Sequence, residues 1–143
     1  KNYLENHMVN KYYSDIINLT ELVEYINKRI DRNKVKVNIR QDYDVRAHDF
    51  IVCGAFNPYF ETESVGIPIE IDIVCNTIDA DISYDEIKEI LDEFNLVLRH
   101  ELIHLEQYVD DRFDFDDIEA NEKEAYAREK KAMPWYRNIT YKE

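Results

Sequence analysis

The sequence predicts an α+β domain with a small, mainly antiparallel sheet. Three observations point to it. Apolar residues recur at helical spacing early in the chain, at period two through the middle, and at helical spacing again towards the end. The period-two stretches are short and bounded by polar segments. Two capping-box patterns open the last two helical stretches. The resulting order is helix, strands, helix, helix.

Residues 1–13 are polar and aromatic and read as an arm ahead of the domain. Ser14 is the expected N-cap of a first helix over about 15–31, whose apolar stripe is Ile16, Ile17, Leu19, Leu22, Val23, Tyr25, Ile26 and Ile30. Val35, Val37 and Ile39 then alternate with Lys36, Asn38 and Arg40, as in a half-buried strand. Phe50 to Phe56 is a second strand, ended by Asn57-Pro58 and a polar loop to Gly66. The cleanest alternation runs from Ile67 through Ile69, Ile71 and Ile73 to Cys75. Ser83 with Glu86 three residues later opens a helix over about 84–109. Asp116 with Glu119 opens a last helix over about 117–132, which Pro134 must stop. One domain over 14–133 is therefore expected, with a tail from 134 to 143.

With 143 residues the chain can bury a core without a disulfide or metal merely to fold. Its 18 Lys+Arg against 31 Asp+Glu give a net charge of −13. Such a charge repels phosphate backbones and anionic lipid, so neither a nucleic acid nor a membrane is an expected partner. No apolar run is long enough to span a bilayer, and the first residues lack the apolar core of a secretory signal. Cys53 and Cys75 are too few for a disulfide framework and lack metal-type spacing; they read as buried thiols, with one bridge open to them in an oxidising compartment.

The chemistry lies in His100-Glu101-Leu102-Ile103-His104. On a helix the two histidines stand one turn apart on one face and can converge on a single metal ion. Glu101 projects beside them, positioned to take a proton from an activated water. Two His and a Glu within an otherwise apolar helix are costly to bury without a partner, and a metal ion is the simplest one. A catalytic zinc needs a third protein ligand. Cys53 and Cys75 would serve only if their strands aimed them at the site, and His7 and His48 lie far upstream. The other candidates are Glu119, Glu122 and Glu124 on the last helix. The stripe Ile118, Glu122, Ala125, Glu129 and Ala132 favours Glu122; the stripe Ala120, Glu124, Ala127 and Lys131 favours Glu124.

These residues carry a resemblance. The two-His motif, a short acidic connection and then Glu122-Lys-Glu124-Ala-Tyr-Ala-Arg resemble a gluzincin metallopeptidase, in which the third zinc ligand is a Glu on a later helix. More narrowly, the chain is similar to small bacteriophage zincin-like proteins and to metallopeptidases whose later helix reads Glu-x-Glu-Ala. That likeness implies Glu122 as the ligand; the aminopeptidase branch, with its Glu-Gly-(Phe/Tyr)-Ala, would imply Glu124. The longer match and the first stripe both favour Glu122. Tyr126 stands where gluzincins often carry Asp or Asn, which leaves the partners of the histidines unassigned. The resemblance covers about residues 66–130. It implies a zincin-like fold, a Zn2+ cofactor, a protein or peptide substrate, and an edge strand above the motif helix, for which Ile67–Asn76 is the best match.

The implied activity is hydrolysis of a peptide bond, with His100, His104 and Glu122 holding zinc and Glu101 as general base. Tyr126 and Tyr108 are the nearest of 11 tyrosines to donate to the oxyanion. Deformylases share the two-His motif, but their Cys-containing partner motif and Gly-rich segment are missing here. The competing expectation is a zincin-fold structural or interaction protein, such as a virion component, in which the metal only stabilises the fold. A soluble protein is expected, in a host cytoplasm or virion if phage-encoded.

Overall fold

The computed structural model describes residues 16–29, 37–58, 68–77 and 80–129. The arm over 1–13, Ser14, the ends of the first and last predicted helices, Val35, Ile67 and the 134–143 tail lie outside them. The elements run β1 (Ile16–Asn18), α1 (Leu19–Arg29), β2 (Val37–Tyr43), β3 (Phe50–Phe56), β4 (Ile69–Cys75), β5 (Asp81–Ser83), α2 (Tyr84–Val109) and α3 (Ile118–Arg128). The class is α+β, as expected.

The first helix starts later than its apolar stripe suggests. Residues 16–18 form a short strand antiparallel to β5, pairing Ile17 with Ile82. Asn18 then caps α1, its Oδ1 accepting the Glu21 N–H at 2.8 Å. A stripe cannot separate these cases, because a buried three-residue strand running into an amphipathic helix extends the same apolar pattern. Leu19, Leu22, Tyr25 and Ile26 bury the inner face of α1.

The main sheet has the order β2-β4-β3. β4 pairs antiparallel with β3 but parallel with β2, so this sheet is mixed rather than mainly antiparallel. The strand expected to be a substrate-binding edge is its centre, with ladders on both sides. Pro68 does not interrupt either ladder: it precedes β4, and its carbonyl accepts the Asn57 N–H. The acidic face of β4 is explained by Arg40 on β2, which binds Asp72 at 3.0 Å and Glu70 at 3.2 Å. Such half-exposed pairs contribute little, about 1 kcal/mol at most.

The opposite face is the core. Val37, Ile39, Ile69, Ile71, Ile73 and Cys75 are buried against α1 and α2, with Ile87, Ile90, Leu91, Phe94, Leu98 and Leu102 from α2. Each fully buried Leu, Ile or Phe contributes about 1.5–3 kcal/mol. Ser83 and Glu86 form the expected capping box, and α2 runs its 26 residues from there, about 39 Å. Both cysteines are free, Cys53 exposed and Cys75 buried. Cys53 lies opposite Asp72 whereas Cys75 lies opposite Phe50, an offset of about 10 Å along the strands. No bridge can form across that distance. No helix among the described residues is long and apolar enough to cross a membrane.

β3 is one of the two edges of this sheet, and it lies directly against α2. A Cβ on Gly54 would stand 2.5 Å from Val97 Cγ1 and 3.0 Å from Glu101 Cγ and Oε2. Val97 is β-branched on a helix and has little rotamer freedom to yield. Gly54→Ala is therefore expected to lower stability by about 1–3 kcal/mol, the usual range for an overpacked contact. Urea denaturation measures it; an unchanged midpoint would show that β3 and α2 are not in close contact here.

Candidate metal centre

The second half of α2 changes character. Ile103 and Leu102 still face the core, while His100, Glu101 and His104 are buried towards a cleft of about 550 Å³ between α2, β3 and α3. Helical geometry brings the two imidazoles together, with ring centres 4.9 Å apart and Nε2 atoms 3.3 Å apart.

Glu122 arrives from α3 through a tightly specified turn. Asp110 closes α2, and Asp111 adopts a left-handed conformation (φ 59°), which Asp tolerates better than most residues. The Arg112 and Phe113 N–H groups then both donate to the Gln107 carbonyl. Asp114 Oδ1 accepts the N–H groups of Asp116 and Asp117, and Asn121 bonds the Asp114 backbone in both directions. Asp117, not Asp116, caps α3 by accepting the Ala120 N–H, so no reciprocal capping box forms.

This route delivers Glu122 between the histidines: Oε2 lies 3.0 Å from His100 Nε2, and Oε1 lies 2.7 Å from His104 Nε2. His100, His104 and Glu122 offer ligand atoms that all lie within 4.8 Å of one another. The other sequence candidates lie elsewhere. Glu124 is held by Arg128 at 2.6 Å and Arg112 at 2.9 Å, which keep its pKa lowered although burial works upward. Glu119 is exposed in the first turn of α3, and His48 is exposed between β2 and β3. His7 is outside the described residues. Neither cysteine lines the cleft.

Two residues complete the geometry: the stripe residue Glu129, to which no role was assigned from the sequence, and Gln107, which was not singled out there. Glu129 Oε2 accepts from His100 Nδ1 at 2.9 Å. Gln107 Oε1 stands 2.9 Å from His104 Nδ1, while its Nε2 donates to the Asn121 carbonyl at 3.1 Å. Since the Gln107 amide N–H is committed to a carbonyl, its oxygen faces the imidazole, so Nδ1 of His104 carries the proton. A carboxylate only accepts, so Nδ1 of His100 carries one as well. Both Nε2 lone pairs are thereby aimed at the cleft, as metal-bound histidines require. Spacing held a clue to both: Gln107 follows His104 by three residues, and Glu129 follows Glu122 by seven, each on the same helical face.

No family model, curated protein or solved structure matches the chain. The fit to a metal is therefore judged on the donors themselves. Two tetrahedral ligands at about 2.05 Å from one ion lie about 3.3 Å apart, the separation of the two Nε2 atoms. Without a cation or a proton between them, two lone pairs and a carboxylate would face one another at that distance. The set of two imidazoles and one carboxylate suits a first-row divalent ion.

Charge follows the same logic. Burial opposes protonation of His100, but the Glu129 bond and the Glu101 and Glu122 charges outweigh it and raise its pKa. The Glu101 pKa is also raised, chiefly by burial, with Glu122 adding and both histidines opposing.

Two outcomes are expected. Glu122→Ala should weaken divalent-metal binding by about 100-fold or more, beyond the 10–100-fold typical of a residue that only orients a ligand, whereas Glu124→Ala should leave it nearly unchanged. Competition with a chromogenic chelator measures both, and the reverse order would move the ligand to Glu124. Metal affinity should also fall as pH drops through the raised His100 pKa, because the ion displaces a proton. The metal-free fold runs the other way. The protonated imidazole adds stability below its ordinary value of 6.5, and this is lost as pH rises through the raised one. Calorimetry in buffers of different ionisation enthalpy counts the released proton; none released near that pH would sink this assignment.

Proposed function

We propose that the protein is a zinc-dependent metallopeptidase with a zincin-like arrangement, hydrolysing peptide bonds with Glu101 as general base. The observation that carries this reading is the burial of the Glu101 carboxylate beside the His100–His104–Glu122 set and against the face of the edge strand β3. A residue that merely filled space here would not be ionisable, since burying a carboxylate costs several kcal/mol unless it is compensated.

His100, His104 and Glu122 would hold the ion. When bound, zinc supplies acidification of a water and polarisation of a carbonyl. The protein's own groups do the rest. β3 pairs with β4 on one side only, so its other edge is open to an extended peptide among the described residues. This role moves from the Ile67–Asn76 segment, which is central, to β3. Gly54 lets a peptide on β3 lie close to Glu101, because no side chain intervenes between strand and carboxylate. Glu101 takes a proton from the attacking water and delivers it to the leaving amine. Tyr126 lies on the cleft wall with its ring 4.6 Å from that of His100, and it donates to the carbonyl oxygen as negative charge grows there. Tyr108 instead packs edge-on against Phe56 and takes no part.

A second reading has a specific observation in its favour. α3 buries only Asn121 and Ala125 among its described residues, so an ion bridging α2 and α3 would also fasten a weakly packed helix. In that case the protein would be a structural or interaction protein with a metal site. Glu101 separates the two, because a fastening ion has no need of a base beside it.

Glu101→Gln is expected to retain zinc and to lower kcat by about 10²–10⁴-fold. Peptide-library cleavage with parallel metal analysis tests this. Full activity in the zinc-loaded variant, or no hydrolysis by the zinc-loaded wild type, would defeat the peptidase reading.

A further inference from the structure

The cleft has two chemically different ends, with the metal-ligand set between them. α2 runs along its floor, and the order of contacts along that helix fixes the order of the walls. Towards the start of α2 the lining is Glu93, then Leu96 and Val97. Seven residues on come His100 and Glu101, and then His104. Beyond them the wall turns aromatic: Phe56 stacks on His104 at 6.3 Å, and Phe113 meets both His104 (6.0 Å) and Phe56 (5.7 Å); Ile118, the half-exposed first residue of α3 and four residues before Glu122, also lines the cleft. Ile118 is thereby left available to an apolar group entering the cleft from that end.

The charge of the cleft is equally one-sided. Glu93, Glu101, Glu122 and Glu129 line it, and no Lys or Arg does so among the described residues. A divalent ion offsets two of those four charges, so the loaded cleft remains anionic. Glu93, exposed and away from the ion, is the carboxylate that no metal or histidine compensates. Anionic walls of this kind select cationic groups by attraction and exclude acidic ones by repulsion.

We propose that the site takes an extended peptide carrying a basic side chain at the Glu93 end and a large apolar or aromatic side chain at the Phe56–Phe113–Ile118 end. This rests on the peptidase reading of the cleft. The register follows from the two repeats involved. Glu93 and His104 are 11 residues apart on α2, about 16 Å along the helix axis. An extended chain covers that distance in about five residues. The two side chains must both face the cleft, and side chains of an extended chain alternate, so they should stand about four or six positions apart, with the bond presented to Glu101 between them. The acidic surface of the chain as a whole acts in the same direction, raising the encounter rate with basic peptides at low salt.

The test uses fluorescein-labelled peptides with Arg and Phe separated by three alanines, so that both face the cleft, in both orders, alongside versions with Glu for Arg or Gly for Phe. Binding is read by anisotropy on the zinc-loaded 143-residue Glu101→Gln protein, and kcat/KM is read on the zinc-loaded wild type with the same peptides. In one of the two orders, Glu for Arg should weaken binding at least about fivefold, and Gly for Phe about tenfold. Glu93→Lys should reverse the charge preference and spare the aromatic one. Ile118→Asp, at an exposed first helical position that suits an acid, should do the opposite. If all versions bind alike, or the acidic one binds best, the proposed peptide class is wrong. If the wild type cleaves all versions at one rate, the class is wrong while the peptidase reading stands. If preferences hold on binding but no version is cleaved, the class stands and the peptidase reading fails. Should the Gln variant not fold, the kcat/KM ratios alone decide, with the same thresholds.

Discussion

Two neutral imidazoles whose Nε2 lone pairs face one carboxylate at 2.7–3.0 Å repel it unless something positive lies among them. That constraint organises the second half of this protein. The Nε2 atoms of His100 and His104 stand 3.3 Å apart with Glu122 against both, and Glu101 is buried alongside. A proton on His100 can satisfy part of this demand, which is why its pKa is raised, but a divalent ion satisfies all of it at once. The surrounding bonds take the same side. Glu129 and Gln107 hold the Nδ1 protons, and so leave the Nε2 lone pairs no role but to bind what sits between them.

The connection between α2 and α3 is built to deliver this geometry. Gln107 serves it twice, through its side chain on His104 and through its carbonyl, which gathers the Arg112 and Phe113 N–H groups into the turn. Arg112 and Arg128 then bind Glu124 and Glu106, tying the outer side of α3 to α2. Exposed pairs of this kind add little individually, but as a network they fix the rotation of α3. With Glu124 turned towards the arginines, Glu122 two positions earlier is turned towards the histidines. The two glutamates, equivalent by spacing alone, are separated by which cations lie on which side.

Legibility in the sequence followed the range of the interactions. The 84–109 helix is visible because a capping box and an apolar stripe are local, and α2 has those bounds. The facing stripe of α3 brought Glu122 forward because a helix face is also a local property. β3 was likewise readable, with bounds at Phe50 and Phe56. What was hidden is what depends on partners far away in the chain. The strand β1 exists only because β5 pairs with it, and its residues extend the helical stripe without a break. The alternation in β4 shows one buried face, and that pattern is the same for a central strand and an edge strand; the parallel ladder with β2 leaves no trace in either strand's own residues. Gly54 gave no signal because its reason is the approach of Val97 and Glu101 from another element.

The weak packing of α3 has a consequence for how the site could work. Glu122, Glu129 and Tyr126 all stand on that helix, and its described residues bury little apolar surface to keep it in place. Polar and ionic contacts therefore set its position, and an ion shared by His100, His104 and Glu122 would be the strongest of them. An ion with preference for the assembled site stabilises that arrangement by an amount that grows with the logarithm of its concentration. Loading would then order, in one step, the metal ligand, the carboxylate that orients His100, and the tyrosine beside it. Glu101 behaves differently, because it belongs to α2, which is fixed by the core through Phe94, Leu98 and Leu102. Glu101 is held in place by hydrophobic packing and Glu122 by ionic contacts, so on the proposed reading loss of an ion would loosen one wall of the cleft while leaving Glu101 where it stands.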